Sequence, residues 1–181
     1  MIFTFYIVSL FLLGIELFLM ASITAFFQKK VFVADGFKLL GAAIAASLLL
    51  GVGLFLGNLV GQTWPQFNNW YAASLFFIFS IKMLFDGFKL NRLKRAVNPI
   101  DKQGYRILTV LMLINSFFVG LGFGLLEQTV ISLLYGLTIF TIFALVGYLM
   151  GFRMKKLKQG RYELFAAIFY LVIAVTIAIN N

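Results

Sequence analysis

Six stretches of about 20 mostly apolar residues set the terms on which this chain can fold. They run at about 3–27, 37–60, 70–88, 107–126, 130–152 and 162–179. A helix of that length matches the hydrocarbon thickness of a bilayer, and six of them leave no room for a domain outside it. The overall content agrees: 62% of residues are hydrophobic and 12% charged. Soluble domains run nearer half and a quarter, so this much apolar surface has to face lipid or other helices. The predicted fold class is therefore an all-α membrane protein with six transmembrane helices. One integral membrane domain covers 1–181, with three helices in 1–90, a cytoplasmic linker at 91–104 and three helices in 105–181.

The net charge of +9 would suggest nucleic acid in a soluble protein, but here its placement decides otherwise. Lys29, Lys30 and Lys38 flank the first break; Lys82, Lys89, Arg92, Lys94, Arg95, Lys102 and Arg106 flank the third. Arg153, Lys155, Lys156, Lys158 and Arg161 flank the fifth, and the second and fourth breaks hold no lysine or arginine. The positive-inside rule makes the odd-numbered breaks cytoplasmic and puts both termini outside. No nucleic-acid partner is implied. The expected partners are the lipid bilayer, a transported ion or small solute, and, as an open option, further copies of the chain. The basic clusters read as orientation determinants or anionic-lipid contacts. The first apolar run is too long for a signal-peptide core and is expected to remain as the first helix. Trp64, Trp70 and Tyr71 lie by the outer break, where interfacial aromatics belong.

Three helices on each side of the midpoint force the halves into opposite orientations if their folds match, which predicts a 3+3 inverted repeat. Two sequence echoes agree with it. GVGLFLG with Gly53 and Gly57 closes the second helix and VGYLMG with Gly147 and Gly151 closes the fifth; Tyr71 and Tyr162 open the third and sixth.

Of the six acids, only Glu16 falls near the centre of a span. A charged group there costs about 2.5–3.5 kcal/mol on insertion scales, so it ordinarily faces a bundle interior or a wet cavity and marks a pathway. Asn115 sits at nearly the same depth in the fourth helix, the counterpart of the first. Together they form a predicted midplane site; the alternative is a protonated Glu16 that only specifies packing. Ser22, Thr24, Ser47 and Ser116 could line a route with them, as could the glycine run Gly120, Gly122 and Gly124. For the glycines, including Gly53, Gly57, Gly147 and Gly151, close helix packing is the favoured role. Lys82 and Asp86 are one turn apart near the end of the third helix, where a local salt bridge or snorkelling is expected. Glu127 and Gln128 mark the outer mouth, either drawing cations or simply solvated. Glu163 suits the positive end of the sixth helix.

The chain holds no cysteine and no histidine, which removes thiolate and imidazole metal ligands, disulfides and cysteine nucleophiles. It has no nucleotide-binding loop and no nucleophile elbow either. An enzyme is not expected, no resident cofactor is implied, and any pumping would draw on an ion gradient or a partner.

With LGIELFLMASITAFF in the first helix, GVGLFLG in the second, IKMLFDGF in the third, NSFFVGLGFG in the fourth and GYLMGFRM in the fifth, the chain resembles the MntP-type manganese efflux pumps. These are small bacterial inner-membrane proteins of the wider LysE-type exporter group. The resemblance implies Mn²⁺ as cargo, passed by acidic residues in the first, second and fourth helices. It places the first acid on Glu16, or on Leu17 if the MASI stretch is aligned instead, and the fourth-helix acid on Asn115. The second-helix acid falls near Ala46, while Asp86 keeps the acid that ends the third helix. With Glu16 and Asn115 as the only metal contacts implied, backbone carbonyls and retained waters would have to complete a Mn²⁺ shell. The second reading is a non-transporting membrane partner or assembly subunit built on the same scaffold, for which eroded acids are expected.

Overall fold

The structure, a computed structural model, describes residues 1–28, 33–93, 102–128, 132–152 and 162–179. Within these segments the side chains of 26–28, 33–35, 86–93, 102–108 and 162–163 are left out of the description. The expectations for Asp35, Asp86, Asp101 and Glu163, and for the basic residues at 29–30, 89–106 and 153–161, therefore lie outside the described residues.

Among the described residues the chain is helical: α1 (Ile2–Gln28), α2 (Val33–Thr63), α3 (Asn68–Leu93), α4 (Lys102–Leu125), α5 (Leu133–Gly151) and α6 (Tyr162–Ile179). A single 3-10 turn, Pro65–Phe67, joins α2 to α3, its proline placed where a missing N–H costs nothing. Among the described residues three segments, Ile2–Ala25, Gly36–Thr63 and Leu133–Gly151, are long and apolar enough to cross a membrane, and Thr109–Leu125 and Leu164–Ile179 are shorter apolar helices. Many large apolar side chains face outward, among them Phe37, Ile78, Phe85, Leu149, Phe165 and Ile168. Such a surface needs hydrocarbon around it. The chain is a multi-pass membrane protein.

The α3 boundaries differ from the apolar run that announced the helix. It begins at Asn68 and continues to Leu93, past Lys82. Lys82 therefore sits inside the helix and not at its end.

The packing follows a simple pattern. The most extensive contact is α2 with α4, followed by α1 with α5 and α3 with α6, then α2 with α5, α3 with α4 and α1 with α4. Exchanging the first three helices for the last three turns the α2/α4 contact into α5/α1. It leaves the α3/α6, α2/α5 and α1/α4 contacts in place, whereas the α3/α4 contact has no α6/α1 counterpart of similar extent among the described residues.

Glycines make the two equivalent contacts close. A methyl group on Gly53 would overlap the Phe117 carbonyl and one on Gly57 the Leu121 carbonyl; Gly120 and Gly124 stand in the same relation to Leu50 and Leu54. On the other side, Gly147 meets the Phe18 carbonyl and Gly151 the Ser22 carbonyl. Between helices that gain little from the hydrophobic effect inside a bilayer, such backbone approach is the main source of association. Gly122 is different: it accommodates the Phe76 ring, not a neighbouring backbone.

A layer of buried rings fills one end of the bundle. Tyr6 meets Phe123 edge-on at 5.2 Å, Phe123 meets Phe76 at 5.0 Å, Phe76 stacks on Tyr170 at 6.1 Å, and Tyr170 meets Phe79 edge-on at 4.7 Å. All five rings are essentially inaccessible. The Tyr6 hydroxyl donates to the Ser132 carbonyl at 2.9 Å, tying α1 to the start of α5.

At its C-terminal end α4 closes in a Schellman motif: the Gln128 N–H reaches the Phe123 carbonyl and the Glu127 N–H the Gly124 carbonyl, both at 3.1 Å. Glu127 takes the left-handed position at φ 61°, which favours glycine. Glu127→Gly is therefore expected to stabilise the protein by about 1 kcal/mol, by relieving the Cβ clash of that conformation. Thermal unfolding in detergent measures it.

Candidate functional site

Glu16 lies midway along α1 and Asn115 midway along α4, and the fold brings them into contact. The Asn115 Nδ2 donates to Glu16 Oε1 at 2.7 Å. Asn115 is 3% exposed, and Glu16 is half-buried. Helix packing explains the pairing. Gly147 and Gly151 of α5 seat against Phe18 and Ser22, which stand two and six residues after Glu16. Gly53 and Gly57 of α2 seat against Phe117 and Leu121, which stand two and six residues after Asn115. The glycine contacts thus fall at the same sequence offsets from Glu16 and from Asn115.

A third group joins them. The Lys82 Nζ of α3 donates to Asn115 Oδ1, and the same ammonium lies 5.7 Å from the centre of the Phe79 ring. The result is a line from Lys82 through the Asn115 amide to Glu16, with the amide oxygen turned to the cation and its nitrogen to the carboxylate. Hydrogen bonds to charged groups are stronger than neutral ones, and each end of the amide here meets the group it suits. Sequence reasoning paired Lys82 with Asp86 and left it out of the midplane site. The signal that finds it is depth: at 1.5 Å per residue, Lys82 is about 18 Å along α3 from Trp70, well inside a 30 Å core.

Tyr170 of α6 adds a fourth polar atom near this line. Its hydroxyl is fully buried and makes no hydrogen bond among the described residues; it faces Ser9 and lies within electrostatic range of Glu16. Ser9, two turns before Glu16 on α1, donates its own proton to the Phe5 carbonyl at 2.8 Å. Beyond Glu16 toward the other end of α1, the surroundings change to thioethers. Met20, Met83 and Met112 are buried, and Thr109 donates to Met20 Sδ at 3.7 Å.

The remaining residues singled out in the sequence hold positions in the packing. Ser47 donates to Ala43 O at 2.9 Å and Ser116 to Met112 O at 3.0 Å, each on its own helix; Thr24 does the same to Met20 O. Ser22 crosses to the Gly147 carbonyl at 3.0 Å, reinforcing the α1/α5 contact. None of these bonds reaches Glu16 or Asn115. Ala46, where the resemblance put the second-helix acid, is buried. Among the described residues no group of three or more Asp, Glu, His or Cys is gathered in a way that holds a metal ion. The Glu16 and Asn115 side chains are the ones that meet directly at mid-bundle.

The sequence profile of the Mntp family, described as "Putative manganese efflux pump", matches residues 43–178. That segment contains Asn115, Lys82 and all the paired glycines; Glu16 precedes it. A curated relative from Methanospirillum hungatei, named "Putative manganese efflux pump MntP", is 27% identical over 132 residues, 72% of this chain and 68% of the relative. No solved structure matches. With the family profile aligned over well more than half of its length, the chain belongs to the Mntp family.

Proposed function

We propose that the protein exports Mn²⁺ or a closely similar dication across the bacterial inner membrane, by alternating access around Glu16 and Asn115. In this reading all six helices span the bilayer as a 3+3 inverted repeat, with the basic connections in the cytoplasm and both termini outside. Family membership supports the cargo and the direction. The observation that supports the mechanism is the Asn115 to Glu16 hydrogen bond, which joins α4 of the last three helices to α1 of the first three. A site made that way is contacted by both halves and changes its exposure when one rocks against the other.

The chemistry is consistent with a hard cation in transit. Mn²⁺ prefers oxygen ligands, and the site offers the Glu16 carboxylate and the Asn115 amide oxygen. One carboxylate leaves a bound dication incompletely neutralised, so retained water completes the shell and the ion is held loosely, as suits a carrier.

Expression in manganese-hypersensitive bacteria lacking their own exporter tests this reading. We expect growth to be restored in high Mn²⁺ and the cellular manganese content to fall severalfold. Normal membrane insertion with neither effect would overturn it.

A further inference from the structure

We propose that Lys82 is a tethered counter-cation: its ammonium takes the Asn115 amide oxygen when no cargo is bound, and an arriving dication must displace it. This rests on the transport reading above and adds to it how the empty carrier resets.

Asn115 Oδ1 is an oxygen that a cation at this site would need, and Lys82 Nζ already holds it. The two cations cannot share it, because both would approach the same lone pairs and repel each other at short range. Through the amide, Lys82 also places a positive charge one hydrogen-bonded link from Glu16. A carrier that has released its cargo has to reorient with that carboxylate inside hydrocarbon, where an uncompensated charge is strongly disfavoured. With Lys82 on the amide the pair is neutral and the empty protein can turn. When the dication arrives, the four-carbon stem of the half-buried lysine lets its head swing away along the helix.

The device is present in one half only. Phe79 of α3 and Tyr170 of α6 pack edge to face, and the interval between them is the one between Tyr71 and Tyr162. At that interval Lys82 corresponds to Ile173, which is apolar and fully buried. The lysine is thus not imposed by the scaffold.

The test compares two fluxes of Mn²⁺ in liposomes containing purified wild type, Lys82→Met or Lys82→Arg. One is net efflux into manganese-free medium; the other is exchange of labelled for unlabelled Mn²⁺ at equal concentrations, in which the carrier never turns empty. Lys82→Met should lose net efflux by roughly 70- to 400-fold, as expected for moving the Glu16 charge without this partner. Exchange should persist in it, and Lys82→Arg should retain both fluxes. Net efflux by Lys82→Met at the wild-type rate would overturn the proposal, as would loss of both fluxes at unchanged thermal stability. A cargo-free arm measures melting temperature in detergent for Lys82→Met, Glu16→Gln and the double variant. Lys82→Met should melt lower, and adding Glu16→Gln should restore the loss; additive losses would overturn the counter-charge role. Absence of any Mn²⁺ exchange by wild type would refute the transport reading, while the melting cycle would still decide the role of Lys82.

Discussion

Glu16→Gln should abolish manganese export, with a fall of at least about 100-fold, and leave the protein inserted and folded. The substitution keeps the side-chain volume and an oxygen that accepts from the Asn115 Nδ2, so the α1/α4 contact survives. What it removes is the negative charge. A dication leaving water for a low-dielectric site needs that charge more than it needs any neutral donor. Initial efflux rates from Mn²⁺-loaded vesicles measure the effect. Wild-type flux in this variant would remove Glu16 from the pathway and the midplane site with it. Glu16→Asp, which shortens the side chain but keeps the charge, should retain part of the activity.

Gly57→Leu and Gly151→Leu should each prevent stable folding, by more than the about 3 kcal/mol that overpacking of an ordinary core can cost. In both cases the new side chain would enter a space held by the backbone of a neighbouring helix, at Leu121 to Leu125 for Gly57 and at Ser22 for Gly151. Backbone cannot rotate aside as a side chain can. Because the two glycines occupy equivalent places, the losses should be of similar size. Gly41→Leu is the control: nothing lies within 4 Å of a Cβ there, and it should be neutral or slightly stabilising, since glycine disfavours helix interiors. The yield of monodisperse protein in detergent, with thermal unfolding of what is recovered, reads all three.

Much of this organisation is legible in the sequence because hydrocarbon permits so few solutions. Apolar run length alone positions the helices, since a backbone in lipid has to satisfy its own hydrogen bonds. Depth counting within those runs singles out Glu16 and Asn115 as neighbours in height, and the four-residue glycine spacings announce where helices touch. Which helices they bring together is not legible: GVGLFLG names no partner, and the α2/α4 and α1/α5 pairings appear only once the bundle is assembled. Lys82 escapes for another reason. Lysine near the end of an apolar run reads as a loop flank, and only its distance from Trp70, counted residue by residue, puts it well inside the hydrocarbon. The buried ring layer is hidden by abundance, because 23 phenylalanines are spread along the chain and many of them meet rings outside this layer. The serines mislead in the opposite sense: Ser47 and Ser116 look like pathway donors, yet their protons are committed to carbonyls one turn back.

The two ends of the bundle differ in hardness. Toward the start of α1 the way to Glu16 is blocked by Tyr6, Phe123, Phe76, Tyr170 and Phe79, interlocked plates whose ring torsions offer little give. Toward its other end stand Met20, Met83 and Met112, unbranched and pliable, which yield by rotating about single bonds. For the proposed cargo, opening at the thioethers asks only for side-chain rearrangement, whereas opening at the rings asks α1, α3, α4 and α6 to shift as bodies. In the proposed export cycle the ring-lined end is therefore expected to open more slowly than the thioether-lined end.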